Sequence, residues 1–138
     1  MMFRRNHKVR FGDTDYAGIM FYPRYFEMLN AVIEDWFEDA VGASFPTLLD
    51  DYRLGSPLGS VTTDFIAPCR LGEVLTFELS VSRLGEKSVT LDVRTERNDE
   101  TRVRSTLTHV CVKRDISGAA PWPADVRAAM TPYLQDHD

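Results

Sequence analysis

The chain of 138 residues has the length of one domain, and its hydrophobic fraction of 43% is enough to build a packed core. A net charge of −5 argues against nucleic acid and anionic membrane surfaces as partners, because both attract basic proteins. Cys69 and Cys111 form no disulfide or zinc motif, and the histidines have no ligand spacing, so no metal site is expected.

The N-terminus is basic but has no apolar run behind it, which argues against a signal peptide. No stretch approaches the roughly 20 apolar residues that a membrane span requires. The sequence therefore predicts a cytoplasmic protein with no membrane association.

The chain is predicted to begin with one strand and one long helix. The strand covers residues 4–11, and a turn rich in Gly and Asp follows over 12–18. The helix begins near Pro23 or Arg24, because proline suits the first helical position. It ends at Gly42, a residue type common just after helix C-termini.

An apolar stripe covers most of this long helix, and glutamates hold only a narrow polar face. So broad an apolar surface indicates burial on more than one side. The residues that recur at helical spacing are Phe26, Leu29, Ile33, Phe37 and Val41.

From Pro57 onward the apolar period changes to two, which is typical of strands with one buried face. A short helix over 45–52 precedes this region, and a terminal helix is predicted over 124–134. The alternating segments and turns are a strand over 75–81, a turn over 84–87, a strand over 89–93, a turn over 97–100 and a strand over 102–113.

One strand, one buried helix and a meander of four consecutive antiparallel strands predict an α+β layer. We expect a single domain over 1–138, with a core of about 4–115 and a C-terminal tail over 116–138. One helix leaves the other sheet face and the sheet edges uncovered, so oligomerisation is expected.

Residues 11–25 carry the most specific pattern in the chain and read FGDTDYAGIMFYPRY. This run closely resembles the signature of the 4-hydroxybenzoyl-CoA thioesterase family, F-G-D-x-D-x-x-G-[IV]-[VM]-[FWY]-[YH]-x-x-Y. The order of elements extends the resemblance to about residue 115. The resemblance implies a hotdog fold, in which an antiparallel sheet wraps around the long helix. It also implies a homodimer or a homotetramer built as a dimer of dimers.

The same resemblance implies hydrolysis of an acyl-CoA thioester, with coenzyme A as part of the substrate and no separate cofactor. By this resemblance, Asp15 is the catalytic carboxylate, and the backbone N–H of Tyr22 polarises the thioester carbonyl. Elementary chemistry agrees, because N–H groups at a helix N-terminus stabilise negative charge on the attacked oxygen. A carboxylate can attack the carbonyl carbon or deprotonate water, and the sequence leaves both roles open. Asp13 is instead predicted to shape the loop.

Four residues near this motif are predicted to contact the substrate. Gly18 suits close packing or a positive φ. Phe21 and Tyr25 are candidates for the acyl site, although Tyr25 fits an ordinary core position equally well. Asn30 stands where the 4-hydroxybenzoyl branch has an Asp that receives the ring hydroxyl. That difference favours another aryl group or a short to medium alkyl group, while a solvated or interface Asn stays open.

Lys87 is the candidate for binding the CoA phosphates. It matches one basic position of the hairpin cluster that the family uses, whereas Gly85 and Glu86 do not match. The phosphate contact is therefore expected to be weaker or to be completed by another basic residue or a neighbouring subunit.

Two other functions fit the same residues. An acyl-carrier-protein thioesterase would present a basic docking surface, and a non-catalytic acyl-CoA-binding regulatory domain would need no reactive carboxylate. The presence of Asp15 argues against the second. A hotdog hydratase is disfavoured, because residues 11–25 contain no histidine. His109 is predicted to be packed or paired rather than a catalytic base.

Overall fold

The computed structural model describes residues 1–135, so positions 136–138 of the predicted domain and tail lie outside the described residues. A π-helical turn, Trp36–Val41, extends the first helix, and 3-10 turns occupy Phe11–Asp13 and Thr131–Tyr133. The helices and strands are β1 (Phe3–Lys8), α1 (Tyr22–Asp35), α2 (Phe45–Asp50), β2 (Leu54–Gly55), β3 (Leu58–Phe65), β4 (Val74–Leu84), β5 (Ser88–Arg97), β6 (Glu100–Val110), β7 (Val112–Lys113) and α3 (Ala124–Met130).

Five strands form one antiparallel sheet in the order β1-β4-β5-β6-β3. Both predicted hairpins join β4, β5 and β6. The second has two central residues, Asn98 and Asp99, with φ of 50° and 64°. Positive φ at both positions defines a type I′ turn, whose twist matches that of the strands it joins.

The expected meander of four consecutive strands is wrong in one connection. β3 pairs with β6 rather than with β4, and Phe65 lies opposite Val103. β4 has no free edge for β3, because β1 and β5 already flank it. β3 therefore forms one edge of the sheet, and seven of its eight residues are exposed.

Smaller differences concern where elements end. The first strand stops at Lys8, before the 3-10 turn, so the predicted range 4–11 is too long. The predicted strand over 102–113 divides into β6 and the short β7, which pairs with β2 in a separate two-stranded sheet. The predicted terminal helix divides in the same way into α3 and a 3-10 turn.

α1 packs on one face of the sheet, and the alternation predicted for 75–81 and 89–93 is confirmed. Full burial of each large apolar side chain contributes about 1.5–3 kcal/mol, so this contact holds the helix on the sheet. The inward-facing sheet residues with almost no exposure are Leu75, Phe77, Leu79, Val81, Val89, Leu91 and Val93. Those of the helix are Tyr25, Leu29, Val32, Ile33, Trp36 and Phe37.

The helix ends as predicted at Gly42, which has a φ of 78°. The N–H of Ala43 then donates to the carbonyl oxygen of Phe37 at 2.9 Å and satisfies the last turn.

The outer face of the sheet is polar and needs no apolar cover. Its side chains on β4, β5 and β6 include Thr76, Glu78, Ser80, Asp92, Arg94, Arg104 and Thr106. Within the part of the chain that the structure describes, no helix is both long and apolar enough to cross a membrane.

Candidate active site

The loop before α1 folds into a tight turn around Asp15. The Asp15 N–H donates to the carbonyl oxygen of Ile19 at 2.9 Å, and the Gly18 N–H donates to the carbonyl oxygen of Asp15 at 3.1 Å. Aspartate at the first position and glycine at the fourth are favoured in such a turn. Gly18 has a φ of 74°, which confirms one of its two predicted uses.

Asp13 connects this loop to the start of the helix. Its carboxylate accepts the N–H of Arg10 at 2.9 Å, and its carbonyl oxygen accepts the N–H of Phe21 at 2.8 Å. Both bonds are local to the loop, so the prediction that Asp13 shapes the loop is confirmed.

A second segment, residues 66–73, holds the loop from the other side. The N–H of Met20 donates to the carbonyl oxygen of Cys69 at 2.8 Å, and the N–H of Leu71 donates to that of Gly18 at 2.9 Å. The loop that carries Asp15 is therefore anchored both to the helix and to the chain entering β4.

The carboxylate of Asp15 is only partly committed to the turn. Its Oδ1 accepts the N–H of Ala17 at 2.8 Å. Across residues 1–135 the carboxylate accepts no other hydrogen bond and forms no ion pair. Its Oδ2 is therefore free to act on a ligand.

Asp15 and Tyr22 lie in the wall of the same cavity, which has a volume of about 500 Å³. α1 begins at Tyr22, and the next residue, Pro23, has no N–H. Among the described residues no acceptor is found for the Tyr22 N–H. The other residues lining this cavity are Ile19, Met20, Phe21, Tyr25, Phe65, Ile66, Ala67, Pro68, Cys69 and Val103.

An unpaired N–H at the start of a helix can bind negative charge, because the helix dipole is positive at that end. Apolar side chains dominate the rest of the wall, and an apolar wall strengthens such an interaction by excluding water. The cavity therefore combines one carboxylate, one N–H donor and apolar space.

Tyr25 contributes its ring to the cavity wall, but its hydroxyl group is occupied. The side chain is 1% exposed, and the hydroxyl oxygen lies 2.7 Å from Oγ1 of Thr95. Burial raises the pKa of Tyr25 to about 12, so the hydroxyl stays protonated. The alternative prediction of a core aromatic therefore describes Tyr25 well.

Glu73 and Arg102 support the segment that forms the opposite wall, and sequence reasoning missed them. The guanidinium of Arg102 donates to both carboxylate oxygens of Glu73 at 2.8 and 2.9 Å, and to the carbonyl oxygen of Pro68 at 2.8 Å. These bonds lower the pKa of Glu73 to about 2. In the sequence, nothing distinguishes this pair from other charged residues.

Three predicted substrate residues do not line this cavity. Gly18 stays in the turn that carries Asp15, and the other two lie farther away. Asn30 is exposed, donates weakly to Glu34 at 3.4 Å, and lines a second cavity of about 300 Å³. Lys87 is in the β4–β5 hairpin, at the opposite end of β4 from the Asp15 loop. Eleven residues of strand separate them by about 30 Å. Lys87 is therefore too far to serve the cavity of its own chain.

His109 is buried, and its Nδ1 lies 2.9 Å from the carbonyl oxygen of Ser56, as predicted for a packed or paired histidine. Within residues 1–135 no group of three or more His, Cys, Asp or Glu side chains has the arrangement of a metal site.

Comparison with known proteins identifies the family of the chain. Residues 9–130 match the thioesterase-like superfamily, and the chain belongs to that superfamily. The predicted relationship and the thioesterase class are thereby confirmed.

Two sequence relatives and one solved structure illustrate the match. The chain is 28% identical over 119 residues to a 1,4-dihydroxy-2-naphthoyl-CoA hydrolase of Synechococcus elongatus, covering 83% of this chain and 85% of that protein. It is 28% identical over 85 residues to a 4-hydroxybenzoyl-CoA thioesterase of Pseudomonas sp., covering 59% and 58%. Slr0204, a 1,4-dihydroxy-2-naphthoyl-CoA thioesterase from Synechocystis, superposes with a TM-score of 0.85 at 22% identity, covering 95% and 96%. The predicted hotdog fold is confirmed.

Proposed function

We propose that this protein hydrolyses acyl-CoA thioesters and that Asp15 and the backbone N–H of Tyr22 are the reacting groups. The observation that carries the proposal is the presence of both groups in one cavity. The names of the two relatives, both enzymes that cleave aryl-CoA thioesters, support the choice of carrier and reaction.

The Tyr22 N–H stabilises the oxygen of the thioester carbonyl. That oxygen gains negative charge when the carbonyl carbon is attacked, and a preorganised donor lowers the energy of the charged state. Removal of one such donor typically costs about 10²–10³ in kcat. The donor belongs to the backbone, so the identity of the Tyr22 side chain matters less than the position of the helix start.

Asp15 acts through its free Oδ2, either as the nucleophile or as the base that activates water. In one route the carboxylate attacks the carbonyl carbon, the C–S bond breaks, and CoA leaves as a thiolate that takes up a proton. Water then hydrolyses the resulting anhydride and restores the carboxylate. In the other route Asp15 removes a proton from water, and the water oxygen attacks directly. Both routes give a free acid and CoA.

The acyl group occupies the apolar part of the same cavity. A volume of about 500 Å³ lies within the usual range for small-molecule sites. Phe21 and the ring of Tyr25 contact the acyl group there, and Gly18 keeps the turn that presents Asp15.

Assembly into a homodimer completes the proposal, and a homotetramer forms if two such dimers pair. β3 is a long edge strand with exposed apolar side chains at Leu58, Val61 and Phe65. Natural proteins rarely leave such an edge unpaired. A second copy that pairs its own β3 across a twofold axis must run antiparallel. The Leu58 end of one protomer then lies beside the Phe65 end of its partner.

The same antiparallel arrangement gives Lys87 a role. Its hairpin lies at the end of the sheet that the twofold axis brings toward the partner's cavity. Lys87 thus contacts the CoA phosphates of a substrate held by the other subunit. The exchange Lys87→Ala is expected to raise KM for acyl-CoA several-fold and to leave kcat unchanged.

The exchange Asp15→Asn tests the mechanism. We expect kcat to fall by about 10²–10⁴-fold while substrate binding persists, measured by thiol release from benzoyl-CoA and by calorimetric binding. Asp51→Asn is the matched control, because Asp51 is exposed and lies outside the cavity. Hydrolysis by Asp15→Asn at the wild-type rate would contradict the mechanism.

Two further measurements separate the alternatives. Binding of acyl-CoA by the wild-type protein without any hydrolysis would favour a regulatory domain. The same acyl group presented on CoA and on acyl-carrier protein distinguishes the two thioesterase classes through kcat/KM. Light scattering that shows a stable monomer would contradict the proposed assembly.

A further inference from the structure

One groove between α1 and β3 contains both the candidate active-site cavity and a second cavity. The first cavity, lined by Asp15 and Tyr22, ends at Phe65, and the second begins at Phe26. The second cavity, called here the far cavity, is lined by Phe26, Leu29, Asn30, Ile33, Leu58, Val61, Leu107 and His109. Both cavities are bounded by the same three elements, α1, β3 and β6, so they are two parts of one groove.

The rings of Phe26 and Phe65 stand between the two cavities. Their centroids lie 6.1 Å apart with planes at 89°, an edge-to-face contact. Each ring also contacts the ring of Tyr25, at 5.8 Å for Phe26 and 5.4 Å for Phe65. Rings at these separations are in direct contact, which leaves no space for a methylene chain to pass between them.

We propose that Phe26 and Phe65 limit the length of the acyl group, so that the enzyme selects compact acyl groups and excludes long alkyl chains. The proposal rests on the proposed function, because it assigns the specificity of that same site. Removal of either ring joins the two cavities and admits a long chain.

The rise per residue of α1 gives the approximate length of acyl group that the first cavity accepts. Phe26 lies four residues beyond Tyr22, about 6 Å along the helix axis. That distance corresponds to one aromatic ring or a chain of about five carbons. Ile33 lies eleven residues beyond Tyr22, about 16 Å along the axis, so a chain of about thirteen carbons would reach the end of the far cavity, and a chain of about ten carbons would extend well into it.

The far cavity suits an alkyl chain once the passage is open. Most of its lining is aliphatic or aromatic. Burial lowers the pKa of His109, which is therefore neutral at pH 7. Asn30, the other polar residue of the lining, is exposed.

The test compares kcat/KM for benzoyl-CoA and decanoyl-CoA in the wild type, Phe26→Ala and Phe65→Ala. We expect the ratio of decanoyl-CoA to benzoyl-CoA to rise at least tenfold in both variants. Phe45→Ala is the matched control, because Phe45 packs on Phe37 at 5.0 Å and lines neither cavity. That control is expected to keep the wild-type ratio.

A Phe26→Leu variant guards against misfolding, because leucine retains apolar volume but not the edge-to-face contact. Circular dichroism and light scattering verify the fold and assembly of every variant. An unchanged ratio in folded Phe26→Ala and Phe26→Leu contradicts the proposal that these rings limit acyl length. Equal wild-type activity on both esters also contradicts it. Either result leaves the proposed thioesterase function intact. If the wild type hydrolyses neither ester, the proposed function fails, and the proposed limit on acyl length fails with it.

Discussion

Glu73 joins two arginines to the segment that forms one wall of the candidate active site, and the exchange Glu73→Gln measures what that connection contributes. Both carboxylate oxygens accept bonds from Arg102, and Nε of Arg97 lies 3.2 Å from the same group. Glutamine preserves the size of the side chain and one acceptor oxygen. It removes the charge from both pairs.

The lowered pKa of Glu73 sets the expected magnitude. A fall from 4.5 to about 2 corresponds to about 3 kcal/mol of stability at 1.36 kcal/mol per pKa unit. The side chains of Glu73 and Arg102 are 18% and 11% exposed, so solvent screens the pair only partly. We expect Glu73→Gln to lose about 2–3 kcal/mol at pH 7, in line with charge-assisted bonds of this kind.

The pH dependence follows from the direction of the shift. Because the pKa is lowered on folding, the contribution is fully present above pH 4.5 and disappears as the pH falls toward 2. The difference in unfolding free energy between wild type and Glu73→Gln is therefore expected to shrink over that interval.

Urea unfolding at fixed protomer concentration provides the assay, since assembly also contributes to stability. Glu100→Gln is the control, because Glu100 pairs with the same arginine but is 60% exposed and should contribute less than about 1 kcal/mol. A loss below about 1 kcal/mol at pH 7 for Glu73→Gln, or a difference that does not change between pH 7 and pH 3, would refute this reasoning.

Three further predictions concern the fold. Gly42→Ala should lower the stability of the protein by about 1 kcal/mol, because Gly42 has a φ of 78° that alanine adopts with strain. The change is measured as a lower Tm, and a higher Tm would contradict the argument. Tyr25→Phe should lower the unfolding free energy measured in urea by about 1–2 kcal/mol, because Thr95 is then buried without its hydrogen-bond partner. A double-mutant cycle with Thr95→Val should show strong coupling between the two residues. Asp99→Gly should stabilise by about 0.5 kcal/mol, because glycine suits the φ of 64° in this turn; a loss of stability would show that the carboxylate matters.

Features set by neighbouring residues are predictable from this sequence. Pro23 and Gly42 bracket the helix because each has a conformational preference that acts locally. The turn around Asp15 and the hairpin at Asn98 and Asp99 follow from the same kind of preference. The motif resemblance adds the pairing of Asp15 with the start of the helix, which no local rule supplies.

Features set by distant contacts are not predictable in this way. The position of β3 depends on β1 pairing with the edge of β4, a contact between strands that are far apart in the sequence. The distance of Lys87 from the candidate site depends on the length and direction of β4. The π-helical turn at Trp36–Val41 leaves the helical spacing of apolar residues almost unchanged, so periodicity does not reveal it.

The bond from the Ala17 N–H to Oδ1 of Asp15 distinguishes between the two acidic amino acids at this position. Aspartate reaches the amide two residues ahead because only one methylene separates its carboxylate from the backbone. Glutamate, with one methylene more, would have to give up either this bond or the direction of its free oxygen. The loop thus makes aspartate and glutamate non-interchangeable here, although both carry the same charge.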